Sequence, residues 1–188
     1  LGMELIRLGH EVSGLRRNPA AETELKAAGI QPLIGDVTQP ETLAALPHDF
    51  DWVVNCVADS GGAENYQQVY LDGTKNLIEW LAPHPPKKFV YTSSTSVYAQ
   101  NDGSPVKESS PTEPVAETSK ILVETEKVLL AAAGQKRIPA VVLRVAGIYG
   151  PDRGHGFKQF LKNEARIEGD GSRVMNMIHR DDVVGCLI

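Results

Sequence analysis

Phe89-Val90-Tyr91-Thr92-Ser93-Ser94-Thr95-Ser96-Val97-Tyr98 is the stretch on which the fold turns. An apolar run of strand length passes directly into hydroxyl side chains, the pattern of a strand buried on both faces whose end opens on a site. Working outward, further short runs rich in β-branched residues predict strands at residues 10–15, 30–35, 51–58, 88–93 and 140–145. Segments of helical period lie between them at 19–28, 66–80 and 115–133, with Gly29 and Gly134 where helix C-caps are expected. This alternation predicts βαβ units around a doubly wound parallel sheet, an α/β fold. After Tyr149-Gly150-Pro151 the pattern changes to a glycine-containing loop over 152–156, a short helix near 157–163 and a strand around 173–178. The expected organisation is a first domain over 1–150 and the incomplete start of a second lobe over 151–188.

The 188 residues can close one sizeable core. The net charge of -5 argues against nucleic acid or an anionic membrane as a bulk partner, since both call for a basic face. No run reaches the roughly 18 apolar residues of a membrane span and no signal peptide opens the chain, so a soluble cytoplasmic protein is expected. Cys56 and Cys186, far apart and in apolar surroundings, are expected to be buried thiols rather than a disulfide. A helical pattern is already running at Gly2-Met3-Glu4-Leu5-Ile6-Arg7-Leu8 and another at Val183-Val184-Gly185-Cys186, so the reading expects a piece cut at both ends.

In open α/β sheets ligands bind along the carboxyl ends of the strands, which makes those ends the candidate site. The first visible strand ends in Arg16-Arg17, where arginine accommodates the 2′-phosphate of NADP and an acid would select NAD; a solvated surface pair is the alternative. The next ends in Gly35-Asp36-Val37-Thr38, with Thr38 as N-cap and Glu41 as its capping-box partner, leaving Asp36 to face a ligand or to satisfy its own turn. The third runs into Ala58-Asp59-Ser60-Gly61-Gly62, open enough for a flat ligand to pass. In the fourth, hydroxyls at Thr92 and Ser94 can polarise a carbonyl or cap the following turn.

Five motifs in order resemble the extended short-chain dehydrogenase/reductase superfamily of epimerases, dehydratases and reductases. They are Gly35-Asp36-Val37-Thr38-Gln39-Pro40-Glu41, Gly73-Thr74-Lys75-Asn76-Leu77, Tyr91 to Tyr98, Arg144-Val145-Ala146-Gly147-Ile148-Tyr149-Gly150-Pro151 and Ile178-His179-Arg180-Asp181-Asp182. The resemblance implies a Rossmann-like sheet that lacks its first strand and glycine loop, with Gly2 standing as the last glycine of that loop. It implies NADP or NAD as cofactor, held by Gly2, Arg16, Arg17, Asp36, Val37, Ala58, Thr92 and Lys120, and a small-molecule substrate met by Tyr149 and His179. It also implies a possible pairing of two copies through helices 66–80 and 115–133.

Ser94 and Lys120 match the family's catalytic serine and lysine. The family's Y-x-x-x-K tyrosine falls on Ala116, which cannot transfer a proton. Three outcomes stay open at this point: Tyr98 or Tyr149 substitutes, a substrate group or water carries the proton, or the protein binds dinucleotide without ordinary turnover. An NAD(P)-dependent oxidoreductase, epimerase or dehydratase is expected, with a non-catalytic NAD(P)-binding or redox-sensing module as the alternative. For His179, Asp181 and Asp182 the resemblance implies no metal, but an ordering segment in which an aspartate caps the last helix. His155 and Arg153 could reach substrate or be solvated.

Overall fold

The computed structural model describes residues 1–188 except Lys136, Asp152, Ile167, Glu168 and Arg173, and the side chain of His155. The parallel sheet stands in two blocks. In the first, β1 (Ser13–Arg16) pairs with β2 (Gln31–Ile34). In the second, β3 (Trp52–Asn55), β4 (Lys88–Ser94) and β5 (Ala140–Val145) pair in that order. Among the described residues no backbone ladder crosses the break between the two blocks. One core spans it: Leu15 of β1 and Val53 of β3 both pack on the cluster of Val37, Leu43, Leu77, Leu81, Phe89 and Leu129.

Helices α1 (Gly2–Arg7), α2 (Ala21–Ala27) and α3 (Pro40–Ala44) belong to the first block. Gly2 lets α1 approach closely, because a Cβ there would stand 2.7 Å from Ile30 Cδ1. The expected single helix over 66–80 is composite: α4 (Ala63–Tyr66) widens into a π-helical segment (Gln67–Asp72) before α5 (Gly73–Leu81). α6 (Glu117–Gly134) turns Ser119, Leu122, Val123, Glu126, Leu129 and Ala132 inward at three- and four-residue steps, as a helix against a sheet must. Beyond it, β6 (Gly147–Tyr149) pairs with β7 (Met177–His179), α7 (His155–Leu161) lies between them, and α8 (Arg180–Leu187) follows. Val183 and Leu187 of α8 pack on Val90 and Val145 of the second block. The strand expected from 173 is short, and its Arg173 start lies outside the described residues.

Three local expectations are corrected. Both cysteines are exposed, Cys56 because it stands one residue past the end of β3 and Cys186 because it faces a groove with Trp52 and Lys88. Gly29 has the expected positive φ of 74°, whereas Gly134 is the last residue inside α6 and Gln135 caps it. Thr38 does not cap α3: its hydroxyl and N–H both donate to Asp36 Oδ1 at 2.9 Å, and Gln39 is the N-cap. A carboxylate is the stronger acceptor, and Pro40 at the first helical position has no N–H to satisfy.

Among the described residues, no helix is long and apolar enough to cross a membrane.

Candidate functional site

The ends of β1 and β2 are adjacent, with Gly35 N donating to Arg16 O at 3.0 Å. Arg16 and Arg17 extend into solvent from the end of β1. Asp36 is half-buried and its carboxylate is taken up by Thr38, while its N–H donates to Thr42 Oγ1 at 2.8 Å. Asp36 Oδ1 therefore satisfies the donors of its own turn. Val37 turns its side chain into the core, so only its backbone faces the strand ends; its carbonyl accepts from Asn76 Nδ2 at 2.8 Å.

At the end of β3, Ala58 is exposed, and Asp59 forms a tight turn by accepting from Gly61 N at 2.6 Å and Asn65 Nδ2 at 3.2 Å. The Gly61 N–H, then Asn65, hold the Asp59 carboxyl below its ordinary value, with a smaller contribution from the Arg17 charge across the break. Tyr70, on the π-helical segment, clamps the same turn: its OH accepts from Asp59 N at 3.0 Å and donates to Asp59 O at 3.3 Å. Such widened helical segments recur at functional sites. Burial raises the Tyr70 phenol above its ordinary value, so it stays protonated and keeps the second of these bonds.

Ser94 ends β4 and caps the short 3-10 turn Thr95–Val97, its Oγ accepting from Ser96 N at 3.1 Å. That turn is fastened to the first turn of α6, where Ser119 Oγ donates to Ser96 Oγ at 3.1 Å. Lys120 is the next residue and its Nζ lies 2.7 Å from Glu117 Oε1. Ala116, at the position of the missing tyrosine, is the exposed N-cap residue of α6. Thr92 is turned across the sheet, its hydroxyl donating to Asn55 O at 3.2 Å.

Beneath this turn lies an ion pair whose cation, Arg144, opens one of the motifs but whose anion belongs to none. Glu126, 3% exposed, accepts from Arg144 Nε at 3.1 Å and Nη2 at 2.7 Å, and from Ser93 Oγ at 2.6 Å. The Glu126 carboxylate raises the Arg144 guanidinium above its ordinary value. Arg144 Nη1 donates to Tyr98 OH at 2.8 Å, and Tyr98 OH donates to Lys107 O at 3.0 Å. Tyr98 thus has its proton committed to a backbone carbonyl and is poorly placed to replace the absent tyrosine. The sequence signal was available in Glu126 itself, a charge on the buried face of α6.

Tyr149 and His179 sit opposite one another on β6 and β7, rings edge to face at 5.2 Å. His179, rather than Asp181 or Asp182, caps α8: its Nδ1 accepts from Asp181 N at 3.3 Å, because Asp181 is already inside the helix and supplies the donor. Asn176 Nδ2 donates to Thr95 Oγ1 at 2.9 Å and ties this small sheet to the Ser94 turn. Among the described residues no hydrogen bond joins Tyr149 or His179 to Ser94 or Lys120, and no group of three or more side chains could hold a metal ion. Arg153 is exposed, and the His155 side chain lies outside the described residues.

The structure therefore brings the Ser94 and Lys120 segments together on one block, and Arg16, Arg17, Asp36 and Val37 together on the other. The model of the NAD dependent epimerase/dehydratase family matches residues 3–188. Protein YeeZ of Escherichia coli K12 is 29% identical over 100% of this chain and 66% of its own length. A solved structure from Methylobacillus flagellatus, assigned to the NAD-dependent epimerase/dehydratases, is 32% identical with a TM-score of 0.74 over 99% of this chain and 63% of that one. The dTDP-glucose 4,6-dehydratase DesIV of Streptomyces venezuelae, solved with NAD, shares the fold at a TM-score of 0.81 and 21% identity, covering 98% of this chain and 65% of its own. The chain spans about two thirds of the length of these relatives. With the family match running almost from end to end of the parallel α/β scaffold, the chain belongs to the NAD dependent epimerase/dehydratase family.

Proposed function

We propose that the protein binds NAD(P) along the carboxyl ends of β1–β4 and, as a whole, is an oxidoreductase, epimerase or dehydratase acting on a hydroxyl or carbonyl of a small polar molecule. The observation that carries this reading is the Ser96–Ser119 bond, which braces the Ser94 turn against the helix turn bearing Lys120. A hydroxyl so held can orient a substrate oxygen, and a lysine one residue further can meet a nicotinamide ribose.

The residues present fit a dinucleotide. Two exposed guanidinium groups at the end of β1 suit a 2′-phosphate and support NADP(H). Exposed Ala58 leaves room for a flat ring. Gly2 lets α1 pack closely on the side chains of Ile30 and Val12, the residues that lead into β2 and β1, which suits the last glycine of a phosphate loop. The bound cofactor would supply the hydride; Tyr149 and His179 belong to the substrate side of the same proposal, as do a cytoplasmic location and a pairing of two copies through α5 and α6.

A second reading, a dinucleotide-binding module without turnover, is favoured by Ala116 together with the engaged Tyr98 phenol. The two separate in one experiment: NADPH binding followed by its fluorescence, and NADPH oxidation followed at once with a panel of aldehydes and ketones. Saturable binding with oxidation supports an oxidoreductase. Binding without oxidation but with conversion of a panel of nucleotide sugars supports an epimerase or dehydratase, which returns the hydride within one turnover, and binding with neither supports the module. Absence of NADPH and NADH binding would overturn both. Arg17→Ala is expected to weaken NADPH about tenfold while leaving NADH unchanged, the cost of one charge-assisted contact to phosphate.

A further inference from the structure

We infer that Asn76 is a positioning residue for the adenosine end of the dinucleotide, an inference that rests on the proposed dinucleotide site. The loop after β2 has two sets of restraints. Those made within the loop hold Asp36 and Thr38: Asp36 N to Thr42 Oγ1, and both Thr38 donors to Asp36 Oδ1. The Val37 carbonyl between them is instead reached by a group 39 residues away, Asn76 Nδ2 on the first turns of α5, at 2.8 Å.

α5 can come this close because residue 73 is glycine: a Cβ there would lie 2.9 Å from Val37 Cγ2 and 3.3 Å from its Cβ. Val37 is thus pinned twice by one helix, its side chain against Gly73 and its carbonyl under Asn76. The same helix turn continues inward, where Asn55 Nδ2 donates to buried Thr74 Oγ1 at 3.3 Å and Thr92 Oγ1 donates to Asn55 O at 3.2 Å. The brace therefore runs from the end of β2 through α5 to β3 and β4, crossing the break that, among the described residues, no backbone ladder crosses. Because Gly35 N is bonded to Arg16 O, setting Val37 also sets the loop's place beside the arginines.

Asn76→Asp keeps the shape of the side chain and removes the donor, turning an oxygen toward the carbonyl. ADP-ribose binding, measured by calorimetry, is expected to weaken about tenfold, equivalent to about 1.4 kcal/mol, with NADPH weakened by the same factor. Amide protection of Phe89 to Tyr91 in the core strand stays unchanged. Should Asn76→Asp fail to fold, Asn76→Gln, which displaces the amide by one methylene, serves in its place with the same expected direction. Unchanged ADP-ribose affinity, loss confined to NADPH, or a loss matched by lower protection in β4 overturns the inference. Failure of the unsubstituted protein to bind ADP-ribose or NADPH overturns the dinucleotide reading itself, a result distinct from any of these.

Discussion

At the end of β2 the polar groups of Asp36 and the Val37 carbonyl hold one loop still: Asp36 is bonded to Thr38 and Thr42, the Val37 carbonyl to Asn76. At the end of β4 the polar groups are hydroxyls that brace one turn, Ser94 Oγ accepting from Ser96 N and Ser119 Oγ donating to Ser96 Oγ, with Ala116 where the resemblance would place a titratable phenol. In the proposed reading the first arrangement is a binding edge, whose value lies in rigidity, and the second is a reactive edge without its proton donor. On that reading each can be altered without the other.

Restoring the donor should have the largest effect. Ala116→Tyr is expected to raise NADPH oxidation with aldehydes and ketones by about a hundred- to ten-thousandfold, the usual contribution of a positioned acid, with NADPH affinity unchanged. The phenol would give its proton to the oxygen of the carbonyl whose carbon takes the hydride. No gain in rate, with the substituted protein folded and binding NADPH, would mean that the Ser94–Lys120 geometry is not a reactive edge.

The ion pair beneath the Ser94 turn comes next. Arg144→Met leaves the Glu126 carboxylate 3% exposed and short of its cation, at a cost of about 3–5 kcal/mol in denaturant unfolding. Combining it with Glu126→Leu is expected to cost less than Arg144→Met alone, because removing both charges ends the desolvation penalty. A double variant no more stable than the single one would count against burial as the source of the effect.

Smallest is the turn at Asp59. Its carboxyl is held below the ordinary value in the folded state, so the stability it contributes is present above the unfolded value and lost as pH falls through the folded one. The Gly61 amide resonance should follow that titration with a midpoint below about 3.9, the ordinary aspartate value, and should lose it in Asp59→Asn.

The frame was legible in the sequence because strands buried on both faces must be continuous apolar runs. The run at 140–145 matches β5 to the residue, and 88–93 misses only Ser94 of β4. Their ends were less legible: 51–58 was expected as strand but the ladder stops at Asn55, whose side chain turns back to Val57 N and Thr74. Side-chain bonds across long separations leave no period in the sequence, which is why the pairings Asn76–Val37, Tyr70–Asp59 and Glu126–Arg144 emerge only in three dimensions, although Asn76 and Arg144 stand within motifs and Glu126 is a charge on the inward face of α6. The π-helical widening was hidden for a related reason, since residues 66–80 keep an apolar stripe whether the turn holds four residues or five. Ala116, by contrast, needed only a count of four back from Lys120.

The central claim, that the strand ends of both blocks form one dinucleotide site, is tested most directly by mapping amide exchange with and without NADPH. Protection is expected at residues 16–18, 36–38, 58–62 and 94–97, and none in the groove between α5 and α6 lined by Ile78, Val128 and Arg137. Protection confined to that groove, or to residues 155–166 with the strand ends unchanged, would contradict it.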